Sequence, residues 1–464
     1  MDQMALIDAQ VHFLEERIVL VHIPLELYPY FLKSVLRLIF DETPPLEDET
    51  DDPTFDDFEH ASEQGSYKPP AFMNVSITPV EVSVMCPRRL IDKYFVPVMD
   101  QLDQLDVSLR SRLVVSENDY IAMQVLGQGL EAGKRVLELT SPLALAGISI
   151  FFISTYFSDY IIVPQRSKAS VITALEERGF QFNNASAAFI TNPLSPTIER
   201  RLSDLIPPGT PPPSTLAELQ TRTFNNLRKH QITPSVDHSL RLVQCAAHHE
   251  YHTQESSMSI LRSPLTTVLL VDEPRFLSLT LASLDPAASL LIEKRLLPRF
   301  ARQSGTQSYE DGSGLLLGSK EDHLIPITLD LRDLPLEASG IVCGVAGRLA
   351  DAATSPAFDS PVDSGASSVV GSVPRLFDSF GTRLETLSIE KSLTSTSAPH
   401  ALHLPSTHHL QPDVDVADAV EISFLSTARA GTIIVGEHEL RRAIDALEEE
   451  KMQSPGLEGI RLDL

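Results

Sequence analysis

Apolar residues along the chain form short runs of strand length that alternate with stretches of helical periodicity. Arg17–Ile23 is such an apolar run, and the apolar residues of Leu25–Phe40 recur at helical spacing. Two further short runs, Met73–Ile77 and Glu81–Met85, are separated by a Thr-Pro-Val turn. Arg88–Leu102 is again helical in its spacing. The pattern predicts a first unit with the order strand, helix, strand, strand and helix.

The same order recurs more clearly in a second unit. Tyr120–Val125 is predicted to be a strand and Glu131–Leu145 a helix. Ile148–Ser154 and Tyr160–Pro164 are two apolar runs on either side of a short turn, which indicates a β-hairpin. Lys168–Arg178 carries apolar residues on one face and is predicted to be the closing helix.

A third unit is less regular. Leu240–Cys245, Thr267–Val271 and Phe276–Leu281 are predicted to be strands. The last two of these strands are expected to pair with each other. Pro286–Arg295 is predicted to be the helix that closes the unit.

A fourth unit is predicted to start with a strand at Gly340–Val345, after which a long Ser/Pro insert interrupts it. It continues with the strands Glu421–Ser426 and Thr432–Val435 and the helix Glu437–Lys451. Its hairpin sequence, EISFLSTARAGTIIVG, aligns with SIFFISTYFSDYIIVP of the second unit. An internal repeat of this length indicates duplicated units, which form a sheet with helices on one face. The sequence therefore predicts an α+β fold of tandem βαββα units, with the second and fourth facing each other in pseudo-symmetric sheets.

Three stretches of biased composition interrupt these units. Asp41–Gln64 is rich in Asp and Glu, Asn192–Ala217 in Pro, and Ala352–Asp413 in Ser, Pro and Asp. We expect all three to be disordered loops or linkers without a packed core. The predicted division of the chain is a first unit at 12–105 with an acidic loop at 41–64, a second at 113–185, a Pro-rich linker at 186–235, a third at 236–330, and a fourth at 335–451 with a Ser/Pro insert at 352–413.

Composition limits the classes of partner. The 464 residues carry 37 Lys and Arg against 63 Asp and Glu, a formal net charge of −26, which argues against nucleic acid and anionic membranes as general partners. Three cysteines far apart in the sequence are typical of a reducing compartment. No signal peptide is recognised, and the most apolar stretch, 143–163, predicts a hairpin rather than a membrane span. These features indicate a cytoplasmic protein.

Catalytic and cofactor motifs are weak. Gly127, Gly129 and Gly133 follow a strand and open a helix, but their spacing departs from that of a dinucleotide loop, so a tight turn is the preferred interpretation. Cys245 and His248 begin a Cys/His cluster of zinc-ligand types, but no second pair completes a tetrahedral site. No nucleophile elbow, P-loop or kinase signature is present. We therefore expect a protein without catalytic activity, bound metal or cofactor.

The repeated hairpin, together with a Gly-containing turn at the start of a helix, resembles the ACT domain, a small-molecule regulatory module. The order of four units is similar to the CASTOR arginine sensors, which regulate TOR signalling and contain four ACT domains. Three segments carry the resemblance: Ser141–Leu175, Ala338–Ala350 and Ser423–Val435. It implies an amino-acid-sensing protein built from ferredoxin-like βαββα units.

In the CASTOR family the amino-acid ligand lies between the second and fourth ACT units. Backbone groups of a strand-to-helix turn and of a hairpin strand hold its ammonium and carboxylate. That turn falls on Gly340 here, and a glycine lets backbone amides approach a bound carboxylate closely. The resemblance implies a ligand-binding set of Ser149, Ile150, Ser339, Gly340, Ile341 and Thr427.

Three positions depart from the family pattern. Ala338 stands where the family has an acidic residue before the ligand turn, and Gly431 stands where an aspartate pairs with the arginine side chain. Ala428 replaces an aromatic residue. A buried guanidinium without a carboxylate costs several kcal/mol. We therefore expect weak arginine binding or none.

The turn of the second hairpin is the partner-binding surface that the resemblance implies. In the CASTOR family this turn contacts the GATOR complex. Tyr156 and Asp159 match the family, and Phe157 replaces a glutamine. We expect exposed side chains here that bind a GATOR-like complex, and a second copy of the chain is a further candidate partner.

The sequence thus predicts a non-enzymatic regulatory protein that binds a small amino acid between the second and fourth units and modulates a GATOR/TOR-type nutrient signalling complex. Two alternatives remain open at this point. One is an interaction scaffold with a vestigial pocket. The other is a regulatory subunit of an amino-acid metabolic enzyme, by analogy with ACT domains in general.

Overall fold

The computed structural model shows four groups of three strands, each with the chain order strand, helix, strand, strand and helical segment. The structure describes residues 8–40, 70–105, 107–128, 132–184, 187–190, 213–247, 257–301, 314–319, 323–354 and 422–448. Contacts place residues 1–352 and 420–464 in one unit, and all side-chain contacts given below lie in that unit.

The first group follows the sequence-based prediction closely. It contains β1 (Asp8–Ile23), α1 (Tyr28–Phe40), β2 (Phe72–Ile77), β3 (Val82–Pro87), α2 (Arg88–Tyr94) and α3 (Val96–Leu105). β3 pairs antiparallel with both β1 and β2. The helix predicted over Arg88–Leu102 is divided because Pro97, in the first turn of α3, cannot donate a backbone hydrogen bond.

The second group has the same strand order. Two short elements precede it, α4 (Val107–Ser111) and β4 (Val114–Val115). It contains β5 (Tyr120–Gln128), α5 (Ala132–Leu145), β6 (Phe151–Ser154), β7 (Asp159–Pro164) and α6 (Lys168–Glu177). β7 pairs with both β5 and β6, which confirms the predicted hairpin. A further hairpin of β8 (Gln181–Asn184) and β9 (Ala187–Ile190) adds to β1.

The third and fourth groups repeat this arrangement. The elements of the third group and those before it are α7 (Leu216–Lys229), β10 (Ser235–Val236), β11 (Leu242–Ala247), α8 (Ser257–Thr267), β12 (Leu277–Ala282), β13 (Ser289–Glu293) and a 3₁₀ segment (Lys294–Phe300). β14 (Leu316–Leu317) precedes the fourth group, which contains β15 (Leu324–Asp330), α9 (Ile341–Thr354), β16 (Ile422–Ser426), β17 (Ala430–Gly436) and α10 (Leu440–Glu448). β13 and β17 are the middle strands.

Four pairings between groups close the strands into a 12-strand, barrel-like sheet. β1 joins β5, β6 joins β16, β15 joins β11, and β12 joins β2. The second and fourth groups are therefore neighbours, and Leu425 of β16 lies opposite Ile153 of β6. The antiparallel, mixed α/β content agrees with the prediction, whereas the closed sheet differs from the expected pair of sheets.

The two faces of this sheet bury different cores. Along β1, Val19 and Val21 pack in a cluster that includes Phe31 of α1 and residues of α2, α3 and α8. Ile18 and Leu20 lie on the opposite face because successive side chains alternate along a strand. They pack with strand residues from all four groups, and none of the described members of that cluster lies on a helix. The helices thus cover the outer face, while strand side chains fill the interior.

Helix α7 was not predicted, since residues 186–235 were interpreted as a linker. Thr215 caps the helix by accepting a hydrogen bond from the Glu218 backbone N–H, at 3.2 Å. Leu219 packs with Ala144 of α5 and Cys343 of α9. A Cβ at Gly340, whose φ is +83°, would lie 2.7 Å from Leu219 Cδ1, so this glycine permits the close approach of α7. The Thr-x-x-Glu spacing was the available signal for this helix.

Three predicted elements are wrong, and each has a physical reason. Thr267–Val271 is the end of α8 and a π-helical turn rather than a strand, since a short apolar run fits either a strand or a buried helix. Pro286–Arg295 contains strand β13 rather than a helix, because both faces of Ser289–Glu293 are buried. Gly340–Val345 begins α9, and the first strand of the fourth group is instead Leu324–Asp330.

Candidate functional site

A cavity of about 50 Å³ lies at the junction of the second and fourth groups. β6, β16 and β17 form its floor, the first turns of α9 form one side, and the segment that joins β15 to α9 forms another. Its lining is mostly aliphatic. The residues that line it are Ile150, Phe151, Leu329, Leu331, Leu334, Pro335, Leu336, Ala338, Ile341, Val342, Val345, Phe424, Ser426, Thr427, Ala428, Ala430, Gly431 and Ile433.

The structure brings three of the predicted ligand-binding residues together around this cavity. Ile150, Ile341 and Thr427 line it, although they come from the residue before β6, the start of α9 and the β16–β17 turn. The other three predicted residues adjoin the lining without belonging to it. Ser149 is buried beside Ile150, and Ser339 is exposed.

Gly340 occupies a special position at the start of α9. Its φ of +83° lies in the left-handed region that favours glycine. The Thr223 hydroxyl of α7 donates a hydrogen bond to the Gly340 carbonyl at 3.2 Å. The glycine therefore lets α7 approach and orients the first turn of α9 beside the cavity.

The three departures from the CASTOR pattern all lie in the cavity wall. Ala338, Ala428 and Gly431 line it directly. A methyl group or a hydrogen atom therefore stands where the family would place acidic or aromatic side chains. This lining contains no carboxylate.

The β16–β17 turn, one wall of the cavity, is held from behind by a buried carboxylate. Glu81, which precedes β3, is fully buried. Its Oε1 accepts hydrogen bonds from the Thr427 hydroxyl and from the Arg429 backbone N–H, both at 2.5 Å. Its Oε2 lies 2.5 Å from Nδ1 of His22, which is also buried. The sequence pattern places Glu81 only at the end of a predicted strand and gives it no role. Its position between Val80 and Val82 was an available signal for a buried carboxylate with hydrogen-bond partners.

A second set of bonds ties this turn to the segment that precedes α9. The Arg429 guanidinium donates to the Leu334 carbonyl at 2.8 Å, and the Leu331 N–H donates to the Arg429 carbonyl at 2.9 Å. Ser83 of β3 accepts a hydrogen bond from the Ala428 N–H at 3.1 Å. Two walls of the cavity and the first group are therefore connected through one turn.

The predicted partner-binding turn is less exposed than expected. Asp159 is buried, and Tyr156 and Phe157 are half-buried with their rings in edge-to-face contact at 5.1 Å. The Tyr156 N–H donates to Ser289 Oγ of β13 at 2.7 Å. The expectation of a fully exposed turn is wrong because this turn packs against the third group. Tyr156, Phe157 and Asp159 remain predicted partner-binding residues.

The same turn takes part in a partly buried polar cluster around Asp285, which lies between β12 and β13. The Ser158 hydroxyl and the Gln124 amide donate to Asp285 Oδ1 at 3.0 and 2.9 Å. Gln124 also donates to the Tyr160 hydroxyl at 3.1 Å. Burial raises the pKa of the Asp285 carboxyl, although these hydrogen bonds oppose the shift. The cluster joins the second and third groups, which do not pair in the sheet.

Asp285→Asn is expected to change how stability depends on pH. The carboxyl binds its proton more tightly in the folded state, so its contribution to stability falls as pH rises from about 4 through its raised pKa. Asparagine does not titrate and keeps the acceptor at the Oδ1 position. In urea unfolding, the free energy of unfolding of Asp285→Asn, relative to that of the wild type, should rise over this pH range.

Asp237→Asn is the matched control. Hydrogen bonds from Ser239 lower the pKa of Asp237, so the contribution of this carboxylate is present above about pH 4 and is lost as pH falls. The free energy of unfolding of Asp237→Asn, relative to that of the wild type, should therefore fall as pH rises. Parallel pH profiles for Asp285→Asn and the wild type would show that Asp285 does not titrate differently in the folded state.

Comparison with known proteins identifies one segment. Residues 115–177 match the family model described as the ACT domain. This segment is an ACT domain. It extends from β4 to the end of α6 and thus includes β5, α5 and the β6–β7 hairpin. The matched segment lies within the predicted second unit, 113–185, and contributes Ile150 and Phe151 to the cavity.

No curated protein matches the chain. A crystal structure of aspartate kinase from Synechocystis matches with a TM-score of 0.26 and 10% sequence identity. The match covers 97% of this chain and 56% of that chain, so the chain spans little more than half the length of the kinase.

Other sequence-based expectations concern metals and membranes. Within the described ranges, no group of three or more His, Cys, Asp or Glu residues could hold a metal ion. Cys245 of this cluster is buried in β11, whereas His248, His249 and His252 lie outside the described residues, as do the acidic loop at 41–64 and most of the insert at 352–413. No helix in the described part of the chain is long and apolar enough to cross a membrane.

Proposed function

We propose that this protein is a non-enzymatic regulator that binds a small amino acid in the cavity between the second and fourth groups. ACT domains are regulatory modules that bind amino acids, and the ACT domain at residues 115–177 forms one side of the cavity. The single observation that carries the proposal is the position of the cavity. It lies where the two hairpins that share a sequence repeat meet.

The fourth group completes the site in this proposal. Its β16–β17 hairpin repeats the β6–β7 hairpin of the ACT domain and pairs with it. This repeat supports the proposal that the fourth group, like the second, is an ACT-like unit of ferredoxin-like topology. Gly340 and the first turn of α9 adjoin the cavity. Backbone N–H groups at a helix start suit a carboxylate, and the ligand's carboxylate is assigned to this end.

The regulated partner in this proposal is a GATOR-like complex of TOR signalling, as the resemblance to the CASTOR family implies. The β6–β7 turn with Tyr156, Phe157 and Asp159 follows the strand that contacts the cavity. Ligand binding at β6 would then act on the partner through this turn, provided that the turn has two states of different affinity for the ligand. The protein is assigned to the cytoplasm with its partner.

A thermal-shift screen with the twenty amino acids tests the proposed function. An amino acid at 100 times its Kd adds about 2.7 kcal/mol to the free energy of unfolding, so at least one should raise the melting temperature. Ile341→Trp, which places an indole at the half-exposed edge of the cavity, should abolish that shift while circular dichroism shows an unchanged fold.

A thermal-shift screen without any response would contradict the proposal. If none of the twenty amino acids changes the melting temperature, the cavity does not bind an amino acid. The scaffold alternative, in which the pocket is vestigial, would then be favoured. A shift that survives in Ile341→Trp would place the ligand elsewhere on the protein.

A further inference from the structure

This inference rests on the proposed function, in which an amino acid binds in the cavity. The chemistry of the cavity wall then restricts which side chain that amino acid can have. None of the lining residues is charged. The wall contains two hydroxyl groups, those of Ser426 and Thr427. The Thr427 hydroxyl is already bound to Glu81 at 2.5 Å. The cavity therefore offers aliphatic contact and very little hydrogen bonding to the group that enters it.

Two carboxylates near the wall, those of Glu337 and Glu81, already have partners. Glu337, beside the lining residue Ala338, pairs with Arg166 and accepts a hydrogen bond from Asn118 at 3.0 Å. Glu81 is bound by His22 and by the β16–β17 turn. A cationic ligand side chain would lose its hydration without gaining a carboxylate, which is strongly unfavourable.

The size of the cavity sets a second limit. An engineered cavity of about 150 Å³ lined by aliphatic and aromatic residues holds benzene, which has six carbon atoms. A cavity of about 50 Å³ is one third of that volume and takes a group of about two carbons by the same scale. Larger side chains would require the wall to move, which tight packing resists.

We infer that the cavity selects an amino acid with a short, neutral, aliphatic side chain, and that valine is the natural amino acid that fits best. Its side chain of three carbons exceeds the volume by only about one carbon by this scale, and its branched shape suits a wall built from Ile, Val, Leu and Ala. Arginine is excluded by its charge and phenylalanine by its size.

Calorimetric titration of the full chain with valine, arginine and phenylalanine tests this inference. Valine should bind at least about 100-fold more tightly than arginine, because the guanidinium stays unpaired. Phenylalanine should bind at least about tenfold more weakly than valine, because overpacking the wall is unfavourable.

Gly431→Asp and Gly431→Ala form a matched pair of variants. A Cβ at position 431 meets only Leu331 Cδ1, at an ordinary 3.5 Å, so both side chains fit the backbone without a clash at that atom. Gly431→Asp introduces a carboxylate into the wall and should raise the affinity for arginine while lowering that for valine. Gly431→Ala adds the same Cβ without charge and should keep the preference for valine.

The outcomes separate this inference from the proposed function. If arginine binds the wild type as tightly as valine, the inferred side-chain class is wrong and the proposed amino-acid site stands. If phenylalanine binds most tightly, the size argument is wrong. If no amino acid binds, both the inference and the proposed function are overturned.

Discussion

Glu81→Leu is expected to lower the free energy of unfolding by about 3–5 kcal/mol, the range for a buried polar cluster that loses one partner. Leucine fills similar space but leaves the Arg429 N–H and His22 without their carboxylate partner, and the Thr427 hydroxyl keeps only the Ala430 carbonyl, at 3.1 Å. Each buried donor without a partner costs about 1–3 kcal/mol. Urea unfolding of the full chain measures this loss of free energy. The slope of the unfolding free energy against urea concentration should not change, which would show that unfolding exposes the same surface in both proteins.

Glu81→Gln is the matched control. Glutamine has nearly the same shape and keeps an oxygen acceptor for Thr427 and Arg429, so its loss should be clearly smaller than that of leucine. If Glu81→Leu is as stable as the wild type, the buried carboxylate does not hold the β16–β17 turn. If both variants lose the same amount, the negative charge matters rather than the acceptor.

Phe152→Ala is expected to lower the free energy of unfolding by about 3–5 kcal/mol. Phe152 of β6 is fully buried, and its ring meets that of Phe424 of β16 edge-to-face at 6.2 Å. The loss combines the buried area of the ring with the space that it leaves, since the closed sheet relaxes only in part. Removing the Phe152 ring weakens the contact between the β6–β7 and β16–β17 hairpins.

A double-mutant cycle with Phe424→Ala isolates that contact. The coupling between the two rings should be about 0.5–1.5 kcal/mol, as for other aromatic pairs in contact. Phe157→Ala, in the same hairpin but half-buried, serves as the control and should cost less. Strict additivity of the two core substitutions would contradict the proposed role of this ring pair in joining the groups.

The elements that could be predicted from the sequence are those with a clear period and clear turns. The β6–β7 and β16–β17 hairpins were predicted from the repeat, and their pairing in one sheet follows the expected neighbourhood of the two units. α1 and the β2–β3 hairpin were likewise predicted, because Leu25–Phe40 is amphipathic and the Thr-Pro-Val turn separates two apolar runs.

Elements buried on both faces could not be assigned by periodicity. Ser289–Glu293 is buried throughout, so its sequence shows neither a helical nor an alternating pattern, and it was mistaken for a helix. Leu324–Asp330 is a further strand that the sequence pattern does not predict, and it contains Pro326, which is unusual in a paired strand. The closure of the sheet depends on contacts between distant groups, which local patterns do not contain.

The candidate site was predictable in part. The resemblance to the CASTOR family implies one site for Ile150, Ile341 and Thr427, and these residues line one cavity. The three departures from the family pattern, Ala338, Ala428 and Gly431, also lie in the cavity wall. The role of Glu81 depends on a contact more than 300 residues away in sequence, since it binds Thr427 with a separation of 346. The burial of Asp159 likewise depends on the third group, which packs against its turn.

The most direct test of the amino-acid site is a crystal structure of the full chain grown with saturating valine. We predict that the valine side chain contacts Ile150, Val345 and Gly431, with its carboxylate toward Gly340 and the start of α9. A cavity left empty under these conditions, or valine bound only at another position, would contradict the proposed function.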